Sequence, residues 1–539
     1  MAAIRARELG ARVVVAEKAD TVRSGCAGTG VDHCWTYIPE IHESELSIED
    51  LVKDHSAHAG GFLDHELATF IATHSFERLL DLERFGVQIR DERGKFRLIK
   101  KVHRVPTFLH FAGRDLKVKL SEQMGRCGVQ IVNRVMVTDL LAHENRVNGA
   151  LGLGTRTGEL FIFRAKTVVL TTGNIYRLYL NRSGRPFNLS FPPHETGDGH
   201  VMALRAGAEL LNMEFTTFQT GPKNFQRCGR GTFVPGRVVD AWNESVGDGA
   251  PSRGERTTMD QMVESEHAFE RVLREGRGPI YMDCREATDE DIDVIRWGLS
   301  NEGNAALLAY FDERGVDLRH DKIEFEIYEP KGGSGKAGVA INSRCETSID
   351  GLYAAGDVIG GVTRAVAPGA FTLGWHAGEM AARASSDRGP VKLDEASQHT
   401  IVARETLCRA ILTRSRGASW NEGQAALQSL MDYYVGRVRS RTMLDAGLAR
   451  LDRLRTEARN ELRASNAHEL QRCLEVMDLV EAGEAIALSA QAREESRFGP
   501  EHYRADFPNT DNEGWFCNTA LRRQDGQNLL YKKPIRHIY

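Results

Sequence analysis

Short apolar strands that end in glycine or an acid, set between helical and glycine-rich segments, predict an α/β fold for this chain. Three stretches carry the prediction. The opening "MAAIRARELGAR" is helical and runs into "VVVAEK", a buried strand closing on Glu17; a Rossmann-like dinucleotide-binding βαβ unit places its second strand and ribose-binding acid in this way. "TVVLTTGN" and "GLYAAGD" are two further apolar strands, ending in Thr-Thr-Gly and Gly-Asp, and open α/β sheets bind ligands at strand carboxyl ends. "RSGCAGTG" supplies repeated backbone N–H groups in a turn able to wrap an anion.

The remaining elements follow in order. Residues 46–95 carry charge-rich helical patterning, and "VQIVNRVMVTDLLA", "RVNGALGLGT" and "ELFIFRAKTVVLTTGN" read as strands. The GxG in "GLGTRTG" has strands on both sides, so it is expected to be a hairpin turn; a phosphate loop needs a helix after it. Residues 216–335, rich in Gly, Arg and Asp, interrupt the α/β pattern and read as an inserted domain. From about residue 395 the sequence is charged and helical, pointing to antiparallel helices on the main body. "EESRFGPEHYRADFPNTDNEGWF" reads as a polar tail.

Composition excludes several classes. With 27% charged and 41% hydrophobic residues, 539 residues make an ordinary globular chain of two or three domains. A net charge of −5 is too balanced for a nucleic-acid or membrane-surface binder. No apolar run reaches the roughly 18 residues of a membrane span, and there is no basic-then-apolar leader, so a cytoplasmic location is expected. The nine cysteines are scattered singly, without a CxxC pair. This argues against an iron–sulfur cluster or structural zinc held by this chain alone, and free thiols in a reducing compartment are the simplest account.

Taken together and in order, "VVVAEKADTVRSGCAGTG", "TTGN", "HETGDGHVMALRAGAELLNMEF", "EGRGPIYMD", "GLYAAGD" and "EESRFGPEHYRADFP" resemble the succinate dehydrogenase/fumarate reductase flavoprotein superfamily over nearly the whole chain, including its adenylylsulfate reductase α-subunit branch. The resemblance implies an FAD-binding Rossmann-like domain in two parts (1–215, N-terminally truncated, and 336–390), an inserted α+β capping domain (216–335), and a C-terminal helical domain with a tail (391–539). It implies FAD contacts from Glu17 and Lys18 at the ribose, from Ser24, Gly25, Cys26, Ala27 and Gly28 at the pyrophosphate and isoalloxazine edge, and from Thr172, Gly173, Asp198 and Asp357 further along. "FTLGWHAG" is similar to the helix that family members aim at the flavin pyrimidine, which makes Thr372 and Leu373 candidate backbone donors. Members with covalent FAD carry a histidine where this chain has Ser24-Gly25-Cys26, so non-covalent FAD is expected. Cys26 is read as a small packing side chain rather than a redox thiol, since no resolving cysteine lies nearby in sequence.

Departures from the family's pattern bear on the substrate. Gln219, in "TFQTGP", stands where the family has a histidine; the flavin-loop arginine falls at about Ala367; the arginine–aspartate pair ahead of "EGRG" falls near Met262; and "HYTMGG" becomes "PKGGSGKAG". Dicarboxylate clamping favours arginine, whose planar fork binds bidentately, and too many clamps are missing together for succinate or fumarate. A small anionic substrate of another kind is expected, with hydride or two-electron transfer at flavin N5. Arg364, Gln219, Lys331 and His376 are the candidate catalytic groups, and Lys336, His194 and Arg497 are further polar groups on segments the family directs toward the flavin. "GGSGKAG" is not a Walker A loop, since Pro330 and Ala337 replace its first glycine and its Ser/Thr. "HETGDGH" places His194, Glu195, Asp198 and His200 close together, but a flavin loop explains its glycine and aspartate better than a metal, and no metal is expected. Electrons are expected from a separate ferredoxin-like or iron–sulfur subunit, on resemblance alone; a reductase acting on a sulfur compound and a catalytically inactive interaction paralogue are the alternatives.

The opening also carries an expectation about what precedes it. The family's glycine motif lies slightly over 20 residues before the acid, which places its last glycine one or two positions upstream of Met1. The N-terminal methionine is therefore expected to be internal to a longer reading frame, the competing view being a truncated paralogue without FAD. A GxGxxG preceded by a β-run in the upstream frame supports the first view, and a stop codon or unrelated sequence defeats it.

Overall fold

A computed structural model describes residues 1–99, 105–181, 192–225, 230–233, 236–247, 268–302, 304–333, 335–363 and 365–539. Its centre is the expected α/β body, in two parallel ladders. Strand Val14–Glu17 pairs in register with Gln130–Asn133, and Val168–Leu170 pairs with Leu352–Ala354. Among the described residues these ladders are not hydrogen-bonded to each other; the edges of Val14–Glu17 and Val168–Leu170 line the same cleft. A meander of Val135–His143, Arg146–Gly154 and Leu160–Arg164 closes one side, and its second turn is the "GLGTRTG" hairpin, as the flanking strands require. Helix Ala2–Glu8 packs on helix Val366–Ser386 so closely that a Cβ on Gly378 would lie 2.2 Å from the Ala2 carbonyl oxygen. Arg5 Nε donates to Glu379 at 2.9 Å across this contact.

The segment read as an irregular insertion has its own regular core. Thr220–Pro222, Ile323–Ile327, Ile280–Asp283 and Arg237–Val239 form a four-stranded antiparallel sheet in that order. With helices Asp289–Asn301 and Ala305–Arg314 it buries Phe233, Phe269, Met282, Ile295 and Leu307. The first of these helices opens with a capping box in which Thr288 and Asp291 satisfy each other's backbone N–H groups.

Four long helices, Glu395–Thr413, Trp420–Tyr434, Arg441–Glu461 and Ala467–Ala492, make the C-terminal part. Each starts on a residue whose side chain accepts a first-turn N–H: Asp394, Ser419, Ser440 and Asn466. The last helix differs from the one-faced pattern expected of it, being buried nearly all round with Arg472, Glu475 and Asp478 inside. The first part of the segment read as a polar tail is also interior, whereas residues 505–513 are exposed. Arg493, Glu495, His502 and Arg504 are fully buried: Arg493 Nε donates to Glu214 at 2.5 Å, and Arg497 to Glu495 at 2.8 Å. Beyond it the hairpin Asn518–Gln524/Gln527–Lys533 pairs with Leu210–Leu211 of the α/β body, so this hairpin extends a sheet of that body. Among the described residues no helix is long and apolar enough to cross a membrane.

Candidate active site

A cleft of about 1830 Å³ runs from the strand ends of the α/β body to the inserted sheet domain, against roughly 300–1,000 Å³ for ordinary ligand pockets. The gap between the two ladders contributes part of it. Glu17, Lys18, Ser24, Gly25, Cys26, Ala27, Thr172, Gly173, Asp198 and Asp357 all line it, as do Gln219 and His194. Residues 13–17, the 168–173 strand end and Asp357 thus share one wall.

The loop after Glu17 makes a cradle. Gly25 has φ +74 and would have no heavy atom within 4 Å of a Cβ, so it opens onto the cleft. Ser24 Oγ is buried without a partner. Gly356 (φ +78) opens similarly, only the Ala370 methyl lying within 4 Å. Backbone exposed at glycine turns beside an orphan hydroxyl fits an extended, phosphate-bearing cofactor. Gly28 is not on the cleft wall: a Cβ there would sit 2.0 Å from the Arg23 carbonyl oxygen, so its part is to let the turn close.

Three residues of the cleft wall, Cys26, Glu195 and Asp357, meet two buried residues that do not line the cleft, Asn174 and Lys331. Cys26 Sγ donates to Glu195 Oε1 at 2.9 Å, Asn174 N–H donates to Glu195 Oε2 at 2.9 Å, and Asn174 Nδ2 donates to Asp357 Oδ2 at 3.0 Å. The buried Lys331 ammonium completes the group, held near the Tyr176 ring at 5.6 Å and interacting with Asp357, Cys26 and Glu195. Burial dominates their titration. It lifts the Glu195 carboxyl above the usual range, with Asp357 adding to the lift; it raises the Cys26 thiol well up, with Glu195 next; and it pulls Lys331 below an ordinary lysine. All three are shifted toward their neutral forms; for Glu195 and Lys331 the shift is toward neutral pH, the condition for passing protons there, whereas the Cys26 thiol moves away from it. Cys26 is accordingly a thiol rather than a thiolate, and we expect iodoacetamide to alkylate it more slowly at pH 8 than a free cysteine. Labelling at the free-thiol rate would contradict the environment described.

Lys18 lines the cleft, with its ammonium engaged in a buried ion-pair network. Its ammonium pairs with Asp198 and donates to the His194 carbonyl at 2.8 Å, to Thr196 Oγ1 at 2.9 Å and to Glu475 at 3.3 Å. Glu475 also takes Arg177 at 2.6 Å and Arg472 at 2.8 Å. Burial works against the Glu475 carboxylate, but these three cations hold its pKa well below the usual carboxylate range. Replacing it by leucine leaves Lys18, Arg177 and Arg472 short of a buried counter-charge, and Glu475→Leu is expected to cost about 3–5 kcal/mol of stability, read from the urea midpoint. The sign in pH follows. A carboxylate with a depressed folded pKa stabilises above its unfolded value of about 4.3, and that contribution is lost as pH falls toward the folded value. The stability gap between wild type and variant should therefore narrow below about pH 4; a constant gap would contradict it. His194 is pushed down to about 4, by burial first and then by Arg472, so it lines the cleft as a neutral ring.

Several expected positions lie elsewhere. Helix Val366–Ser386 starts six residues before Thr372. Thr372 and Leu373 are thus buried in its second turn, off the cleft, with their N–H groups inside the helix; Val366, Ala367 and Ala370 occupy the cleft end instead. His376 is on the far side of this helix, against Phe70 at 4.3 Å, with Nε2 at 3.0 Å from the Ser343 carbonyl, and does not reach the cleft. Lys336 pairs with Glu501 at 2.5 Å over the Phe498 ring, and Arg497 is held by Glu495 and Asn512; neither lines the cleft. Arg364 and Met262 lie outside the described residues. The sequence presents Glu195 only as a candidate metal ligand and gives Asn174 no distinction; their signal, strand-end polar residues after "TTG" and before "TGDG", becomes visible only once Cys26 is placed beside them.

A strand-end cradle of this form, with a domain inserted over it, defines a dinucleotide-dependent oxidoreductase. Residues 1–373 match the FAD binding domain family and residues 424–537 match the fumarate reductase flavoprotein C-terminal family; the chain belongs to this family and is an FAD-dependent oxidoreductase of the fumarate reductase/succinate dehydrogenase flavoprotein type. It is 27% identical to a polypeptide of the fumarate reductase (CoM/CoB) of Methanothermobacter marburgensis, over 97% of this chain and 95% of the relative. It is 24% identical to the α chain of adenylylsulfate reductase from Megalodesulfovibrio gigas, over 98% and 91%. Among solved structures, adenylylsulfate reductase of Archaeoglobus fulgidus superposes with a TM-score of 0.87 at 22% identity, covering 100% of this chain and 94% of that one. E. coli quinol fumarate reductase does so at 0.81 and 20%, covering 99% and 95%. At these identities the structural likeness carries the fold.

Proposed function

We propose that this protein transfers a hydride or an electron pair between FAD and a small anionic substrate other than succinate or fumarate, the substrate lying where the cleft meets the inserted domain. The observation that carries this reading is the buried group in which Asn174 and Lys331 back the cleft-wall residues Cys26, Glu195 and Asp357. When bound, the flavin supplies hydride chemistry at N5. The chain's own residues do the rest: Gly25 and Ser24 face the cofactor, Lys331 and Glu195 hold a proton in a site shielded from water, and Gln219 offers a neutral hydrogen-bonding group where a dicarboxylate enzyme needs charge. FAD is held non-covalently, so acid precipitation should release the flavin into the supernatant.

The resemblance to multi-subunit relatives supports a separate iron–sulfur or ferredoxin-like electron partner. Anaerobic reduction of the flavin-loaded protein followed by reoxidation with a panel of oxidants tests the reading. Reoxidation by an unsaturated acid other than fumarate, or by an oxidised sulfur anion, supports it, and the second outcome assigns an adenylylsulfate-reductase-like role. Reoxidation by fumarate alone overturns the substrate assignment. Failure to take up FAD favours an inactive interaction protein.

A further inference from the structure

The interdomain end of the cleft, where the proposed substrate lies, also holds a second cluster, separate from the Cys26–Glu195–Asp357 group. Asp32 and His33, entering strand His33–Trp35, face Glu302 at the carboxyl end of helix Asp289–Asn301 in the inserted domain. One ligand atom from each lies within 4.8 Å of the other two. Asp32 is 1% exposed; its Oδ1 is 2.6 Å from His33 Nδ1, while its Oδ2 has no partner and points at Gly298, where a Cβ would be 2.9 Å away. His110, on the neighbouring strand Phe108–His110, stacks on His33 with ring centroids 5.4 Å apart. It is 8% exposed, and its Nδ1 is likewise without a partner. Glu302 accepts from Thr232 Oγ1 at 2.9 Å, and its carbonyl accepts from Thr29 at 3.2 Å.

We propose that Asp32, His33 and Glu302 form a site for a divalent transition-metal ion that pins the inserted domain to the FAD-binding body. Charge and chemistry agree on a cation. Two carboxylates face one imidazole, and the last carbonyls of a helix add partial negative charge. Nitrogen and oxygen donors in this ratio suit zinc, cobalt or manganese, with bonds of about 2.0–2.2 Å for a zinc-type ion, reached by rotamer-scale contraction of the cluster. Asp32 Oδ2, buried, able to ligate and unpartnered, is a cost, and an ion bound by this carboxylate removes it.

The ligands all come from the protein, so binding is testable without substrate or flavin turnover. Chelator-stripped full-length protein is titrated with Co²⁺ and Zn²⁺, followed by cobalt ligand-field absorption and by metal content after dialysis. We expect about one equivalent of bound metal. His33→Ala and Glu302→Gln should each weaken binding at least about tenfold, and the exposed-histidine control His399→Ala should not. Bound metal should also slow amide exchange together in residues 29–33 and 298–302, on the two sides of the pin; His33→Ala abolishes this slowing even if its fold is otherwise weakened. Less than about a tenth of an equivalent, or binding indifferent to both ligand substitutions, overturns the proposal.

Discussion

Gly25→Val should purify as a folded protein that has lost most of its flavin. Gly25 sits at φ +74 with its missing Cβ directed at open cleft, so the substitution acts twice. A β-branched residue in that region of backbone space costs about 1–3 kcal/mol, and its two methyls occupy volume the cofactor needs. A change of that size corresponds to roughly 5–150-fold in affinity, before the steric loss is added. Flavin-to-protein ratio by visible absorbance is the readout, with far-UV circular dichroism confirming the fold; Gly25→Ala should fall between. Wild-type flavin content in Gly25→Val would show that the 24–28 turn is not the cradle.

Lys331→Met should give the complementary phenotype, with flavin retained and turnover lost. Methionine keeps the length and apolar stem but removes the ammonium that sits among Asp357, Cys26 and Glu195. Loss of a positioned proton donor costs about 10²–10⁴ in rate. Because burial lowers the Lys331 pKa, the alkaline limb of the wild-type pH–rate profile should fall below the roughly 10.4 of a free lysine and be absent in the variant. Turnover is measured with whichever oxidant of the panel reoxidises the flavin fastest. A variant retaining more than about a tenth of wild-type activity would remove Lys331 from proton delivery.

The parts of this fold legible in sequence are those dictated by local chemistry. "VVVAEK", "TVVLTTGN" and "GLYAAGD" announce strands and their ligand-facing ends because apolar runs, glycines and acids act within a few residues. The start of the helix at 366–386 is hidden because Ala365 precedes it without a side-chain cap, so nothing local marks it, and Thr372 and Leu373 pass for its first turn. The "EESRFGPEHYRADFP" stretch looks solvated when its charges are taken one by one; in the fold its Glu495 is buried between Arg497 and the preceding Arg493, which Glu214 also neutralises from 279 positions away. The Cys26–Glu195–Asp357 group joins residues through contacts spanning 169 and 183 positions, and only packing can report such a meeting.

The reach of Glu475 to Lys18 has a consequence for how this protein can be divided. A glutamate from the last long helix neutralises the cation immediately after the first strand. Trimming the chain to its nucleotide-binding portion would leave Lys18, Arg177 and Asp198 to rearrange in a half-open, poorly solvated hollow. The helical third thus acts as a keystone for the cofactor end, and a minimal flavin-holding fragment has to include it.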